Sequence, residues 1–504
     1  MNAANDRAII HRLLTGVPGL DDVLGGGLPE FSFNVIAGPP GSGKTTLAHQ
    51  IMFALASAER PALYFTVLGE PPVKMLRYQQ QFDFFDAGKL QHAIHFINLA
   101  EEAASGDLGK VLHRILAEIE AKGPGLVFVD SFRSLATTGA DGAVPLRNLQ
   151  EFVQELGVLM TSWQATTFLV GEYPGNDNNP VFTVADGLIW LRQSEQRNSV
   201  VRKLEIAKMR GQATLAGLHS FRIDSAGIHV FSLPALDRPQ LRAAPHPSRQ
   251  RVRMGVEGLD DMLGGGLPRG YSLLVAGPSG AGKSILASSF LVEGAAEGET
   301  GVLATFEQRP GRSRGRALAE LIAAGRVGVI DARAPGLSVD EICTLLVAEI
   351  TRLKATRVVI DSLSGFELAL APTFREDFRE SLSRMVLAIA STGVTIFMTS
   401  ELEDRFLDLR FSPYGTAFLT DAIIVQRYVE VDSRLLRVMA VAKVRDSAHS
   451  NELRLFHIDD NGIRLGGMLH QHEGLLGGRP TLRKRDPGEP IDPSWGSPNP
   501  EKSS

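Results

Sequence analysis

The chain has 504 residues, 44% of them hydrophobic, with 52 basic against 57 acidic side chains and a formal net charge of −5. That length exceeds one ordinary hydrophobic core, and the near-balanced charge leaves no global field of the kind that marks a nucleic-acid binder. A lone cysteine, Cys343, excludes an intrachain disulfide. Met1–Arg12 lacks a signal pattern and no apolar run reaches spanning length, so the expectation is a cytoplasmic protein.

In chain order, Gly16-Val17-Pro18-Gly19-Leu20-Asp21-Asp22 leads, after one residue, into Leu-Gly-Gly-Gly-Leu-Pro. A strand is predicted over Phe33–Ala37, followed at once by Gly38-Pro39-Pro40-Gly41-Ser42-Gly43-Lys44-Thr45 and a helical stretch beginning Thr45-Thr46. This is the G-x-x-x-x-G-K-[ST] phosphate loop in its required setting between strand and helix. Glycines let backbone N–H groups turn inward on phosphates, and the helix terminus adds a favourable dipole. Lys44 then meets the β- and γ-phosphates of ATP, and the Thr45 hydroxyl serves Mg²⁺. Further strands are predicted at Ala62–Val67, Leu126–Val129 and Thr167–Val170, then hairpin signals at Gly187–Leu191, Leu204–Lys208 and Phe221–Val230. Asp130 ends the third strand, where a carboxylate is expected to hold the metal through its water shell.

Pro234–Arg251, rich in Pro, Arg and Ala, reads as a linker. After it the pattern repeats: Gly255-Val256-Glu257-Gly258-Leu259-Asp260-Asp261 lies 239 residues beyond the first lead-in. The same 239 separates the first loop from Gly277-Pro278-Ser279-Gly280-Ala281-Gly282-Lys283-Ser284, which Ile285 follows. Strands are predicted at Tyr271–Ala276, Val302–Phe306, Val358–Ile360 and Val394–Met398, then strand and hairpin signals at Ala422–Val431, Val438–Val444 and Leu455–Leu465. Lys283, Ser284 and Asp361 take the roles of Lys44, Thr45 and Asp130. The domains are placed at 1–245 and 246–468, with 469–504 expected to be a disordered tail of Gly, Pro and charge, in which Arg483-Lys484-Arg485 stays solvated.

The paired loops, the repeated lead-ins, the strand ends Asp130-Ser131 and Asp361-Ser362, and the pairs Lys208-Met209-Arg210 and Lys443-Val444-Arg445 together resemble the KaiC family of the RecA superfamily, over residues 12 to 467. The resemblance implies an α/β fold of two tandem RecA-like P-loop domains, each a mostly parallel sheet flanked by helices with a C-terminal hairpin extension. It implies an ATPase that assembles as a homohexameric ring with ATP at subunit interfaces, a signalling protein partner, and Ser/Thr autokinase activity in circadian timing. It assigns the water-activating carboxylate to Glu307, followed by Gln308, while the first half has Leu68-Gly69 at those positions and Glu70 two residues on. It makes Lys208, Arg210, Lys443 and Arg445 fingers that a neighbouring subunit brings to the γ-phosphate, with Asp446 in place of Gly211. The family's phosphoacceptor pair falls on Ala417 and Phe418, which have no hydroxyl; Thr416, Thr420 and Ser412 lie nearby.

Three readings stay open from the residues: an ATP-hydrolysing oligomeric switch, a RecA-like single-stranded DNA-binding ATPase, and a non-catalytic ATP-bound signalling scaffold. The acidic balance and the lack of a basic aromatic stripe weigh against the second. No membrane contact is expected.

Overall fold

The structure, a computed structural model, describes residues 10–67, 72–104, 107–131, 146–173, 180–196, 199–232, 250–306, 315–331, 338–370, 378–402, 419–460, 462–469, 472–475 and 481–482. In the first half the sheet strands are β1 (Phe33–Gly38), β2 (Ala62–Thr66), β3 (Ile94–Asn98), β4 (Leu126–Asp130), β5 (Thr166–Glu172), β6 (Gly187–Gln196), β7 (Ser199–Met209), β8 (His219–Asp224) and β9 (Gly227–Phe231). In the second they are β10 (Ser272–Gly277), β11 (Gly301–Thr305), β12 (Val327–Asp331), β13 (Arg357–Asp361), β14 (Thr395–Glu401), β15 (Ala422–Val431), β16 (Arg434–Val444), β17 (Leu453–Asp459) and β18 (Gly462–Met468). Among the described residues each half forms one nine-stranded sheet, ordered β3-β2-β4-β5-β1-β6-β7-β8-β9 and β12-β11-β13-β14-β10-β15-β16-β17-β18, so the two topologies coincide. In each, the first six strands of that order run parallel and the last three are added antiparallel. Contacts divide the chain into two compact units, one on each sheet.

Period-two alternation sorts the side chains of the first sheet into two cores. Val35, Leu63, Phe65, Val127 and Val129 face the helices Leu108–Lys122 and Leu146–Ser162, meeting Ile115, Ile119, Val153 and Leu156. Ile36, Tyr64, Phe128 and Val170 face α1 (Lys44–Leu55) and its Leu47, Ile51 and Met52. The second sheet packs Leu273, Val275, Leu303, Val359 and Phe397 with Leu286, Phe290 and Leu291 of α2 (Lys283–Ala296). Both phosphate-loop helices are buried along much of their length, His49, Gln50 and Ser288 included, and sit against a sheet face.

The expected fold is what forms, with two differences beyond the hairpin signals at Phe221–Val230 and Leu455–Leu465, each of which forms a pair of antiparallel strands with Asp224 opposite Gly227 and Asp459 opposite Gly462. The edge strands β3 and β12 were not anticipated: each exposes part of its length and carries polar or glycine residues, which hides the strand period. Part of the segment expected to be a disordered tail is ordered. His472–Glu473 pairs with Thr481–Leu482, and Leu475 is buried in a cluster with Val429, Val431, Val438 and Leu455, an apolar anchor that the tail's polar composition conceals.

The repeated lead-ins become matched clasps, Arg12–Leu13 on Leu28–Pro29 and Arg251–Val252 on Leu267–Pro268. Their triple glycines are needed there: Gly27 and Gly266 have φ of 110° and 115°, and a Cβ on either would lie 2.6 Å from the carbonyl oxygen of the opposing strand.

Candidate nucleotide site

Both loops lie where their central strand ends. β1 stops at Gly38 and α1 starts at Lys44; β10 stops at Gly277 and α2 starts at Lys283. The residue before each lysine, Gly43 or Gly282, has φ of 100° and packs against an isoleucine of the terminal hairpin. An added Cβ would come within 2.7 Å of Ile223 and 2.8 Å of Ile458. The hairpin extension therefore braces the loop from behind.

Lys44 is nearly buried and folds back on its own loop, its Nζ donating to the Pro39 carbonyl at 2.8 Å. Lys283 does the same toward the carbonyls of Gly277 and Pro278, at 2.8 Å each. Burial pushes the Lys44 pKa below the usual lysine value, while Glu172 and Asp130 nearby pull it back. A desolvated ammonium within a glycine-rich loop at a helix N-terminus attracts a polyanion. Ser42 Oγ is buried with no hydrogen-bond partner, and a Cβ on Gly41 would meet nothing within 4 Å, so the first loop has donor capacity and open space for phosphate.

Asp130 and Asp361 occupy equivalent positions, since Thr66 is in register with Asp130 and Thr305 with Asp361. Thr45 Oγ1 donates to Asp130 Oδ2 at 2.8 Å, and Tyr64 OH donates to the same oxygen at 2.7 Å. Desolvation raises the Asp130 pKa, opposed by those two hydroxyls and Lys44. In the second half Thr399 Oγ1 donates to Asp361 Oδ1 at 2.6 Å. Among the described residues no three His, Cys, Asp or Glu side chains gather as a metal cage. One carboxylate beside one hydroxyl, all oxygen donors, suits Mg²⁺, which keeps several waters and takes further ligands from phosphate. When bound with ATP, the ion supplies charge neutralisation between the phosphates. In the first half Thr45 and Asp130 stand together beside Lys44. Thr46 and Ile285 lie in the first helical turn behind each loop.

The basic pairs are elsewhere. Lys208 Nζ donates to the carbonyls of Phe182 and Thr183 at 3.2 and 3.0 Å, and Lys443 Nζ to that of Thr420 at 2.7 Å. Arg210 pairs with Asp186 and Arg445 with Asp421, both at 3.1 Å. Asp186 also accepts from the Phe33 N–H, and Asp421 from that of Ser272, at the starts of β1 and β10. Each arginine thus sits at the opposite end of the central strand from its own loop, about 16 Å away along five residue steps. Arg445 turns to Asp421 and not to the adjacent Asp446, which takes the left-handed backbone (φ 51°) that Gly211 takes at 82° in the first half.

Glu70 and Glu307 lie outside the described residues, as do Gln308, Ser412, Thr416, Ala417, Phe418 and Arg483-Lys484-Arg485. Tyr64, Thr399, Asp186 and Asp421 were not identified from sequence. The aspartates had a signal available, since each stands 24 residues ahead of its arginine in both halves.

Twice over, the sheet presents the phosphate-binding end of a P-loop ATPase, and the chain is a tandem P-loop ATPase of the RecA-like class. A family model described as "ATPase: KaiC" matches residues 13–235 and 252–469, and the chain belongs to that family. It is 28% identical over 488 residues to the "Circadian clock oscillator protein KaiC" of Rippkaea orientalis, covering 94% of this chain and 92% of that one. The proteins of the same description from Parathermosynechococcus lividus and Prochlorococcus marinus are 27% and 26% identical, covering 94% of this chain and 88% and 96% of theirs. No helix among the described residues is long and apolar enough to cross a membrane.

Proposed function

We propose that this protein is an ATP-hydrolysing oligomeric signalling switch of two domains, residues 1–245 and 246–468, each binding ATP and Mg²⁺. In this reading the loops Gly38–Thr45 and Gly277–Ser284 bind the phosphates, and Asp130 and Asp361 hold the metal. Glu307, and in the first domain Glu70, activates the attacking water. One observation carries the assembly: each Lys-x-Arg pair stands at the far end of its own central strand, so Arg210 and Arg445 serve a phosphate only when a neighbouring subunit presents its loop. A homohexameric cytoplasmic ring with ATP between subunits satisfies that need. The nucleotide state then changes how the ring packs and what signalling protein it binds. The kinase aspect is narrower than the family resemblance implies, because Ala417 and Phe418 offer no hydroxyl and Thr420 is fully buried.

The test is phosphate release and particle mass with ATP and Mg²⁺. The native chain should hydrolyse ATP and run as a ring that dissociates as nucleotide is removed. The Lys44→Ala, Lys283→Ala double variant should do neither. Equal phosphate release by that double variant would remove both loops from the reaction; retained ATP without hydrolysis in the native chain would favour a scaffold.

A further inference from the structure

The first site contains a polar contact that the second builds differently. Tyr64 is fully buried in β2, in register with Phe128, two residues before Asp130 on the same sheet face. Its phenol donates to Asp130 Oδ2 at 2.7 Å, and Thr45 donates to that oxygen at 2.8 Å. The ring is clamped, with centroids 4.6 Å from His49, 5.3 Å from Phe96 and 5.9 Å from Phe128. A ring held on three sides cannot swing away, so its one polar atom is fixed on the carboxylate, and removing that hydroxyl would leave the buried oxygen a donor short. At the matching register position the second half has Leu303, and the Thr399 hydroxyl reaches Asp361 from β14 instead. β2 and β14 flank the aspartate strand on opposite sides, so the two carboxylates are held from opposite neighbours.

We propose that Tyr64 is a positioning residue of the first site: by anchoring Oδ2 of Asp130 it orients the carboxylate for the metal of Mg·ATP and lowers the Mg²⁺ concentration at which this site retains nucleotide. This rests on the reading of the loop as an ATP and Mg²⁺ site.

The experiment uses the full-length Lys283→Ala chain, in which the first loop is the intact one, and titrates Mg²⁺ against binding of a fluorescent ATP analogue. Adding Tyr64→Phe should leave Mg²⁺-free binding unchanged and raise the Mg²⁺ half-saturation about three- to ten-fold. Tyr64→Leu, the residue type of the second half, should do the same. An unchanged Mg²⁺ requirement in both variants overturns the proposal. So does an equal loss of binding with and without Mg²⁺ in both, which would make Tyr64 a packing residue of the sheet. If the Lys283→Ala parent itself binds the analogue with no Mg²⁺ dependence, it is the metal reading of the first loop that fails.

Discussion

Arg445 donates to Asp421 at 3.1 Å, and the same aspartate takes the Ser272 N–H at 3.0 Å and the Ser272 Oγ–H at 2.9 Å. The arginine is thereby tied to the base of the strand whose other end is the phosphate loop. Its side chain is half exposed, and exposed ion pairs contribute only about 0–1 kcal/mol, so Arg445 can exchange this partner for a phosphate at small cost.

A shared site makes a complementation prediction. Mixing full-length Lys283→Ala subunits, which lack a working second loop, with Arg445→Ala subunits, which lack only the finger, should regenerate interfaces that pair a sound loop with a sound finger. Phosphate release by the mixture should exceed the sum of the two variants measured alone. Strictly additive release in rings shown by mass to be mixed would place Arg445 outside the neighbour's site.

Loop independence is tested by counting nucleotide. Lys44→Ala and Lys283→Ala should each remove about half of the bound ATP, because each lysine makes its bonds within its own loop. Loss of all ATP in either single variant would show that the two loops fill only together.

Phosphopeptide mapping after incubation with ATP and Mg²⁺ should find no label at Thr420. That side chain is fully buried, and its backbone carbonyl holds Lys443 at 2.7 Å. Label there at native pH, with the second domain shown folded by protease resistance, would contradict the placement.

His49 gives the first domain an acid sensitivity. Burial pushes its pKa from 6.5 down to about 4. Between those values the unfolded chain binds a proton that the folded chain refuses. The contribution to stability is therefore complete above about pH 6.5 and is lost as pH falls toward 4, a total of about 3 kcal/mol. The difference in unfolding free energy between the native chain and His49→Gln should shrink in that direction across this window. A difference that does not change with pH would mean that His49 is not the sensitive group.

Arg357 starts β13 with its side chain only 1% exposed, bonded to Glu297 at 2.7 Å, Glu299 at 2.5 Å and the carbonyls of Arg253 and Phe290 at 2.8 Å each. Its register equivalent in the first half is Leu126. Arg357→Leu leaves Glu299, which Arg269 also contacts, in a part-buried site with one cation fewer. The second domain should lose about 3–5 kcal/mol in denaturant unfolding. Adding Glu297→Gln and Glu299→Gln should recover much of that loss; no recovery would assign the effect to packing alone.

The phosphate loops and the Asp130 and Asp361 strand ends were legible in sequence because each is local, and the doubling of the whole unit because the same motifs recur at one constant offset. A strand, a Gly-rich turn and a helix follow one another within about a dozen residues, and an apolar run ending in Asp is contiguous. The edge strands β3 and β12 and the anchoring of Leu475 were not, because their periods are broken and only a neighbouring surface makes them strand or core. The same holds for the contacts that shape the site. Tyr64 is 66 residues from Asp130 and Arg210 is 24 from Asp186. Ile223 reaches Gly43 across most of the first half. Which side chains meet there depends on strand register and on the side from which each neighbour pairs, and a chain read residue by residue carries no record of either until the sheet has formed.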